Sequence, residues 1–275
     1  MKNICNDKQK INKIEGWSLA TYLMIFIGLV VRLVYVFNTT VFERNHDVGC
    51  FTSLTDGQIN PGHLGYIEYI VKFGQLPQIN PFDLFSYYHP PLHHLFGALV
   101  VKVSLLFGAS YETAFENIQL YTVAISILCL FVALKIIRCF AKDSVFSFLG
   151  MGLLTFHPAL VYMSGYVNND MLTLLFEELC IFFTLRWISK DAQDKNIWDL
   201  IWMALSIGLG MCVKISVVLF AAPMGVVMLM ELLRTAGFRN ERNEPDNGGL
   251  SARSNERKII SLLSAYVVLV LSLLG

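Results

Sequence analysis

WSLATYLMIFIGLVVRLVYVF, residues 17–37, is the stretch that decides the fold class. A hydrocarbon core of about 30 Å takes about 20 helical residues to cross, and this run has that length with a single charge inside it. Lys2, Lys8, Lys10 and Lys13 precede it and no small-residue cleavage site follows, so it reads as a retained signal anchor rather than a cleaved signal peptide.

The rest of the chain repeats the pattern. Of 275 residues 55% are apolar and 15% charged, with a mean hydropathy of +0.55, far from the quarter of charged residues usual in soluble domains. Six further apolar runs are long or nearly long enough to span: Gln119–Ile137, Val145–Gly165, Met171–Ile188, Ile197–Lys214, Ile215–Leu233 and Ile259–Gly275. The formal net charge is zero, which excludes a nucleic-acid partner on electrostatic grounds. The six cysteines (Cys5, Cys50, Cys129, Cys139, Cys180, Cys212) show no metal or redox spacing and read as packing residues.

Lys and Arg assign the sides, because short basic loops stay cytoplasmic. Basic residues fill the tail and three later loops, those of Lys135, Arg138 and Lys142, of Arg186, Lys190 and Lys195, and of Arg234 to Lys258. The stretch 38–117 carries only Arg44, Lys72 and Lys102. An eighth apolar run, Pro91–Phe107, would invert every later basic loop if it crossed, so it is expected to be interfacial or re-entrant on the outer face. The expected fold is an all-α polytopic transmembrane helix bundle of about seven spans. It divides into a cytoplasmic tail 1–16, a first span 17–37, a long extracytoplasmic loop 38–118 with juxtamembrane helices, and spans two to seven over 119–275. The chain stops at Gly275 inside an apolar run without a polar flank, which reads as a truncation.

Polar chemistry gathers on the outer side. His46, His63, His89, His93 and His94 lie in the first outer loop together with Asp47, Asp56, Asp83 and Glu68. Within it, Asn60-Pro61 predicts a helix start, Leu64, Ile67, Ile70 and Val71 an apolar stripe, and Gly74 with Pro77 an end. That helix is expected to lie on the membrane surface, with Tyr66 and Tyr69 at the interface. Topology then puts three ionisable residues on one side: Asp47, Asp170 and Lys214. Such groups beside hydrocarbon are costly and mark candidate sites. Each has a plainer reading: a solvated turn for His46-Asp47, a helix cap for Asp170, a snorkelling side chain for Lys214. His89, His93 and His94, at i, i+4 and i+5, are further candidates with interfacial packing as the plainer role, and His157 is expected to hydrogen-bond within the bundle.

These residues, in this order and topology, resemble the GT-C superfamily of polyprenyl-phosphate-sugar glycosyltransferases, in particular glycosyltransferase family 39, the protein O-mannosyltransferase and aminoarabinose-transferase group. The resemblance rests on Asp47, on Tyr88-His89-Pro90-Pro91-Leu92, on Asn169-Asp170-Met171-Leu172 and on Lys214. It implies that Asp47 is the catalytic carboxylate, that Asp170 supports the site or a metal, and that Lys214 meets the donor phosphate. Many relatives carry two adjacent acids in the first loop, whereas here the neighbour of Asp47 is His46, a supporting or metal-binding candidate. The resulting expectation is an inverting transferase in a bacterial plasma membrane, moving a sugar from a polyprenyl-phosphate donor to an acceptor on the outer face, with a divalent metal ion as a candidate cofactor. Two other classes stand beside it: a secondary transporter or flippase for a lipid-linked or anionic substrate, and a non-catalytic membrane subunit. Transporters place ionisable groups near the bilayer midplane and show inverted repeats; this sequence shows neither.

Overall fold

A computed structural model describes residues 2–42, 62–80, 82–140, 144–190 and 195–237, with side chains between 18 and 230. His46, Asp47 and the run from Ile259 lie outside the described residues. The chain is helical throughout, and among the described residues there is no strand. In order the helices are α1 (Lys2–Phe37), α2 (Gly62–Phe73), α3 (Leu92–Leu106), α4 (Tyr111–Phe140), α5 (Ser144–Thr155), α6 (Pro158–Met163), α7 (Asp170–Ile188), α8 (Ile197–Met211) and α9 (Val218–Gly237), with a single 3-10 turn at Ile215–Val217 before α9.

Among the described residues two helices are long and apolar enough to cross a membrane: Ser18–Phe37 within α1, and α4. At 30 residues, α4 reaches about 45 Å, longer than the hydrocarbon core is thick. It starts eight residues before the run read from the sequence, and these added two turns carry Ala114, Phe115 and Ile118 into a core shared with α2 and α3. The helix expected on the membrane surface is instead largely buried: Leu64, Tyr66, Ile67 and Ile70 of α2 pack on Ala98 and Val101 of α3. An amphipathic stripe fixes which face of a helix is buried but not what buries it, and here α3 takes the place of lipid. At Gly97 the two helices come close enough that an added Cβ would meet Ile67 Cδ1 at 2.5 Å.

The expected third span, Val145–Gly165, is broken into α5 and α6. Pro158 lacks an N–H and disfavours helical backbone in the residue before it, and His157 accordingly sits at φ −61°, ψ 120°. His157 faces outward rather than into the bundle, contrary to the expectation from its depth in the run. The break leaves the carbonyl of Thr155 without its usual helical donor. Arg32, fully buried in α1, supplies one: its guanidinium donates to Thr155 O at 2.9 Å, to Gly28 O at 3.1 Å and to Ser126 Oγ at 2.8 Å. Three elements are thereby tied around one charge that the sequence reading passed over as part of an apolar run.

Four apolar clusters run through the bundle. One joins α2, α3 and the start of α4; one joins α1, α4 and α5 through Met24, Leu130 and Met151; one joins α4 and α7 through Cys129, Met171 and Leu175; the last joins α7, α8 and α9 through Leu200, Ile207 and Met224. Large apolar side chains remain exposed along the outside, among them Leu19, Phe26, Phe146, Leu153, Trp202 and Leu209, the surface a helix offers to hydrocarbon rather than to water. Cys129 and Cys180 are packing residues, as expected, whereas Cys139 and Cys212 are exposed.

Candidate active site

The first turn of α7 and the extended residue before the 3-10 turn meet at one end of the bundle. Lys214 Nζ lies 2.6 Å from Asp170 Oδ1, with both side chains about one-third exposed, 33% and 34%. Asp170 opens α7 without capping it: Asn169 occupies the N-cap position and makes no side-chain cap bond. Its second oxygen accepts from Asn168 Nδ2 at 2.8 Å. Asn169 Nδ2 donates to Val213 O at 2.9 Å, and Leu92 N donates to Cys212 O at 3.0 Å. The turn that presents Lys214 is therefore bonded on one side to the turn that presents Asp170 and on the other to the start of α3.

Alpha3 brings the histidines. His93 is fully buried and donates from Nε2 to Val167 O at 2.6 Å, which leaves Nδ1 as an acceptor without a partner among the described residues. His63 Nδ1 and His94 Nε2, from α2 and α3, lie 2.9 Å apart. Five rings form a column with small interplanar angles: Tyr87 on Tyr66 (4.7 Å between centroids), Tyr66 on His94 (4.0 Å), His94 on His63 (5.1 Å) and His63 on His89 (5.3 Å). Offset stacking adds about 0.5–1.5 kcal/mol per pair beyond burial; His94 and His63 instead meet edge to edge, their hydrogen bond running along the line between the ring centres. His89 is half-buried at its open end. Ser86, beside Tyr87, is buried with φ 71°, a left-handed conformation uncommon outside glycine and asparagine.

Burial controls the protonation of this group. Loss of solvation holds His93 down at about 4, against smaller upward pulls from the Val167 hydrogen bond and from Asp170. His63 is lowered well below 6.5, first by burial and then by His93, His89 and Lys214; His94 is lowered by burial and then by its three histidine neighbours. All three are neutral imidazoles at pH 7. Backbone geometry sets the column on the same side as the ion pair: Leu92, next to His93, is bonded to Cys212 O in the turn before Lys214, and His93 is bonded to Val167 O, three residues before Asp170.

Among the described residues the donors do not fit a divalent metal ion. No three His, Cys, Asp or Glu side chains converge on one point, and both oxygens of Asp170 are engaged. The sequence candidates thus fall into three groups: Asp170 with Lys214 in direct contact, His89 and His93 beside them, and Asp47 with His46 outside the described residues. His63 reads in the sequence only as a loop histidine and His94 as a further candidate beside His93, and their pairing spans 31 residues with no local pattern to announce it. Glu116 was missed altogether. Its carboxylate accepts from Val41 N at 3.0 Å and from the Thr40 hydroxyl and Gln119 amide, fixing the chain where it leaves α1 toward residue 47.

The family model described as dolichyl-phosphate-mannose-protein mannosyltransferase matches residues 88–240, and the matched region contains the Tyr88-His89-Pro90 element, Asp170 and Lys214. The match covers more than half of the chain, and the chain belongs to this family of GT-C membrane glycosyltransferases. No curated protein and no solved structure matches the chain.

Proposed function

We propose that the protein is an inverting transferase that moves one sugar from a polyprenyl-phosphate donor to an acceptor on the extracytoplasmic face, using Asp47 as general base and Lys214 as the cation at the donor phosphate. The observation that carries this reading is the one-to-one, partly exposed pair of Lys214 with Asp170. An ammonium has three donors. One N–H on Asp170 leaves two for phosphate oxygens, so Asp170 orients Lys214 toward the donor instead of neutralising it out of reach.

In the proposed step Asp47 takes the proton of the acceptor hydroxyl as the acceptor oxygen bonds to the anomeric carbon. The bond between that carbon and the phosphate oxygen breaks, its electron pair goes to the phosphate, and Lys214 stabilises the charge that develops there. Attack from the side opposite the leaving phosphate inverts the anomeric centre. Asp170 and His89 shape the phosphate end, while His93 fixes the loop before Asp170 through Val167. A divalent ion, if used, would have to displace Lys214 from Asp170 or draw ligands from the loop of His46 and Asp47. The supporting topology has seven spans, formed by α1, α4, α5 with α6, α7, α8, α9 and the run from Ile259, with the amino terminus cytoplasmic and α2 and α3 on the outer side.

The test is Asp47→Asn in membranes supplied with polyprenyl-phosphate sugars, with and without a chelator. Transfer is expected to fall at least about a hundredfold at unchanged expression, the scale of a lost general base. Turnover equal to wild type would remove Asp47 from the mechanism.

A further inference from the structure

The end of the bundle away from Lys214 has a second set of charges that transfer does not use. Asp199, in the first turn of α8, is 2% exposed; Lys190 Nζ lies 2.6 Å from its Oδ2 and Arg186 Nη2 lies 3.1 Å from its Oδ1. One carboxylate serves two cations, so the cluster keeps a positive excess. Arg186 also lies over Phe182 at 5.6 Å and Phe183 at 5.9 Å, and Lys135 of α4 lies over the same Phe182 at 5.5 Å with no carboxylate in ion-pair range among the described residues. Rings hold cations in place without cancelling their charge. Two positive groups are therefore aimed outward around one aromatic ring.

Next to that ring an apolar groove opens between α7 and α8. It holds about 330 Å³ and is lined by Phe176, Leu179, Phe183, Trp202, Leu205 and Leu209 together with Ser206, whose hydroxyl is turned onto Trp202 O at 2.7 Å. Phe183 and Trp202 stack at 6.3 Å at its charged end. Trp202, Leu205 and Leu209 are 51%, 37% and 43% exposed, so the groove faces outward from the bundle. With the Ser206 hydroxyl already bonded to Trp202 O, the groove offers no free partner to hold ordered water, and in a membrane it takes an acyl chain.

We infer that the groove between α7 and α8, with Arg186 and Lys135 at its mouth, binds an anionic phospholipid: one acyl chain lies in the groove and the phosphate sits against the two cations. Charge complementarity selects the anion. Distance separates it from the donor, because Arg186 lies sixteen residues along α7 from Asp170, about 24 Å, too far for one phosphate to reach both Lys214 and Arg186. The sequence rule that places basic loops on the cytoplasmic side makes this the inner leaflet, where anionic lipids are drawn to Lys and Arg by about 1 kcal/mol each. The inference does not rest on the transfer reaction.

The test uses the full chain purified in a neutral detergent. Thermal unfolding is followed with added phosphatidylglycerol or phosphatidylcholine of the same acyl chains, and retained lipid is counted by native mass spectrometry. Wild type should be stabilised more by phosphatidylglycerol than by phosphatidylcholine. Lys135→Gln, which leaves both partners of Asp199 in place, and Leu205→Trp, which fills the groove from its exposed side, should each lower retained phosphatidylglycerol severalfold. Equal retention of the two lipids by wild type would overturn the headgroup assignment. Wild-type retention in Leu205→Trp, or displacement of phosphatidylglycerol by a polyprenyl phosphate, would show that the groove is covered by residues 238–275 or belongs to the donor.

Discussion

The two ends of α7 carry the same chemistry in opposite settings. At its start Asp170 meets one cation and both side chains are one-third exposed; beyond its end Asp199 of α8 is almost wholly buried and meets two. An exposed pair contributes about 0–1 kcal/mol to stability, because water and salt screen it and two long side chains must be ordered. A buried carboxylate stripped of its partners costs about 3–5 kcal/mol, because it cannot return to water without unfolding what surrounds it. The pair at the start of α7 is therefore open enough to exchange partners, and the carboxylate at the other end is not. Accessibility, not the identity of the charges, separates a site from a strut.

The largest effect that would break this contrast is loss of both cations from Asp199. A double change of Arg186 and Lys190 to Gln should lower unfolding stability in detergent by about 3–5 kcal/mol, read by thermal or denaturant unfolding; a wild-type midpoint would show that this cluster is not a strut. Lys214→Gln should do the reverse, lowering transfer about 10²- to 10³-fold while the unfolding midpoint moves by no more than about 1 kcal/mol. A parallel loss of fold would make Lys214 structural and sink its role at the phosphate.

A third measurement sharpens the outer region through pH. In the unfolded chain His63, His93 and His94 take up protons below 6.5, whereas folded His93 stays neutral down to about 4 and the other two are lowered in the same direction. The unfolded state then binds more protons, so stability rises with pH across this window. It is full above 6.5 and falls as the pH drops toward 4, and a scan of unfolding midpoints should show the decline flattening in His93→Gln. The smallest effect belongs to Lys190→Gln alone: Arg186 still covers Asp199, Lys190 is 27% exposed, and the change should stay within about 1 kcal/mol.

Much of this was legible in advance because helices announce themselves locally. The runs at 17–37, 119–137 and 171–188 appear inside α1, α4 and α7, since apolar length is a property of consecutive residues. The turns holding Asp170 and Lys214 could be assigned to one side by counting basic loops. The break at His157 had a visible signal in Pro158, outweighed by the apolar run on either side of it. Arg32 was hidden for the same reason, as one charge in a long hydrocarbon stretch.

Other features had no linear signature. The five-ring column takes His63 and Tyr66 from α2, Tyr87 and His89 from the segment before α3, and His94 from α3, so no window of sequence contains it. The stripe on α2 was readable as apolar, but lipid and a neighbouring helix satisfy an apolar stripe equally well, and only the packing of α3 against it shows which one does.

What the sequence determined by itself was the solvent, the class of secondary structure and the order of the chemical groups along the chain, because each depends on local hydropathy or on charge counted loop by loop. Tertiary structure alone decided which carboxylate sits in a solvent-accessible ion pair and which is locked in the bundle. Burial is a property of surroundings brought from distant parts of the chain, and it sets both the strength of an ion pair and whether anything else can reach it.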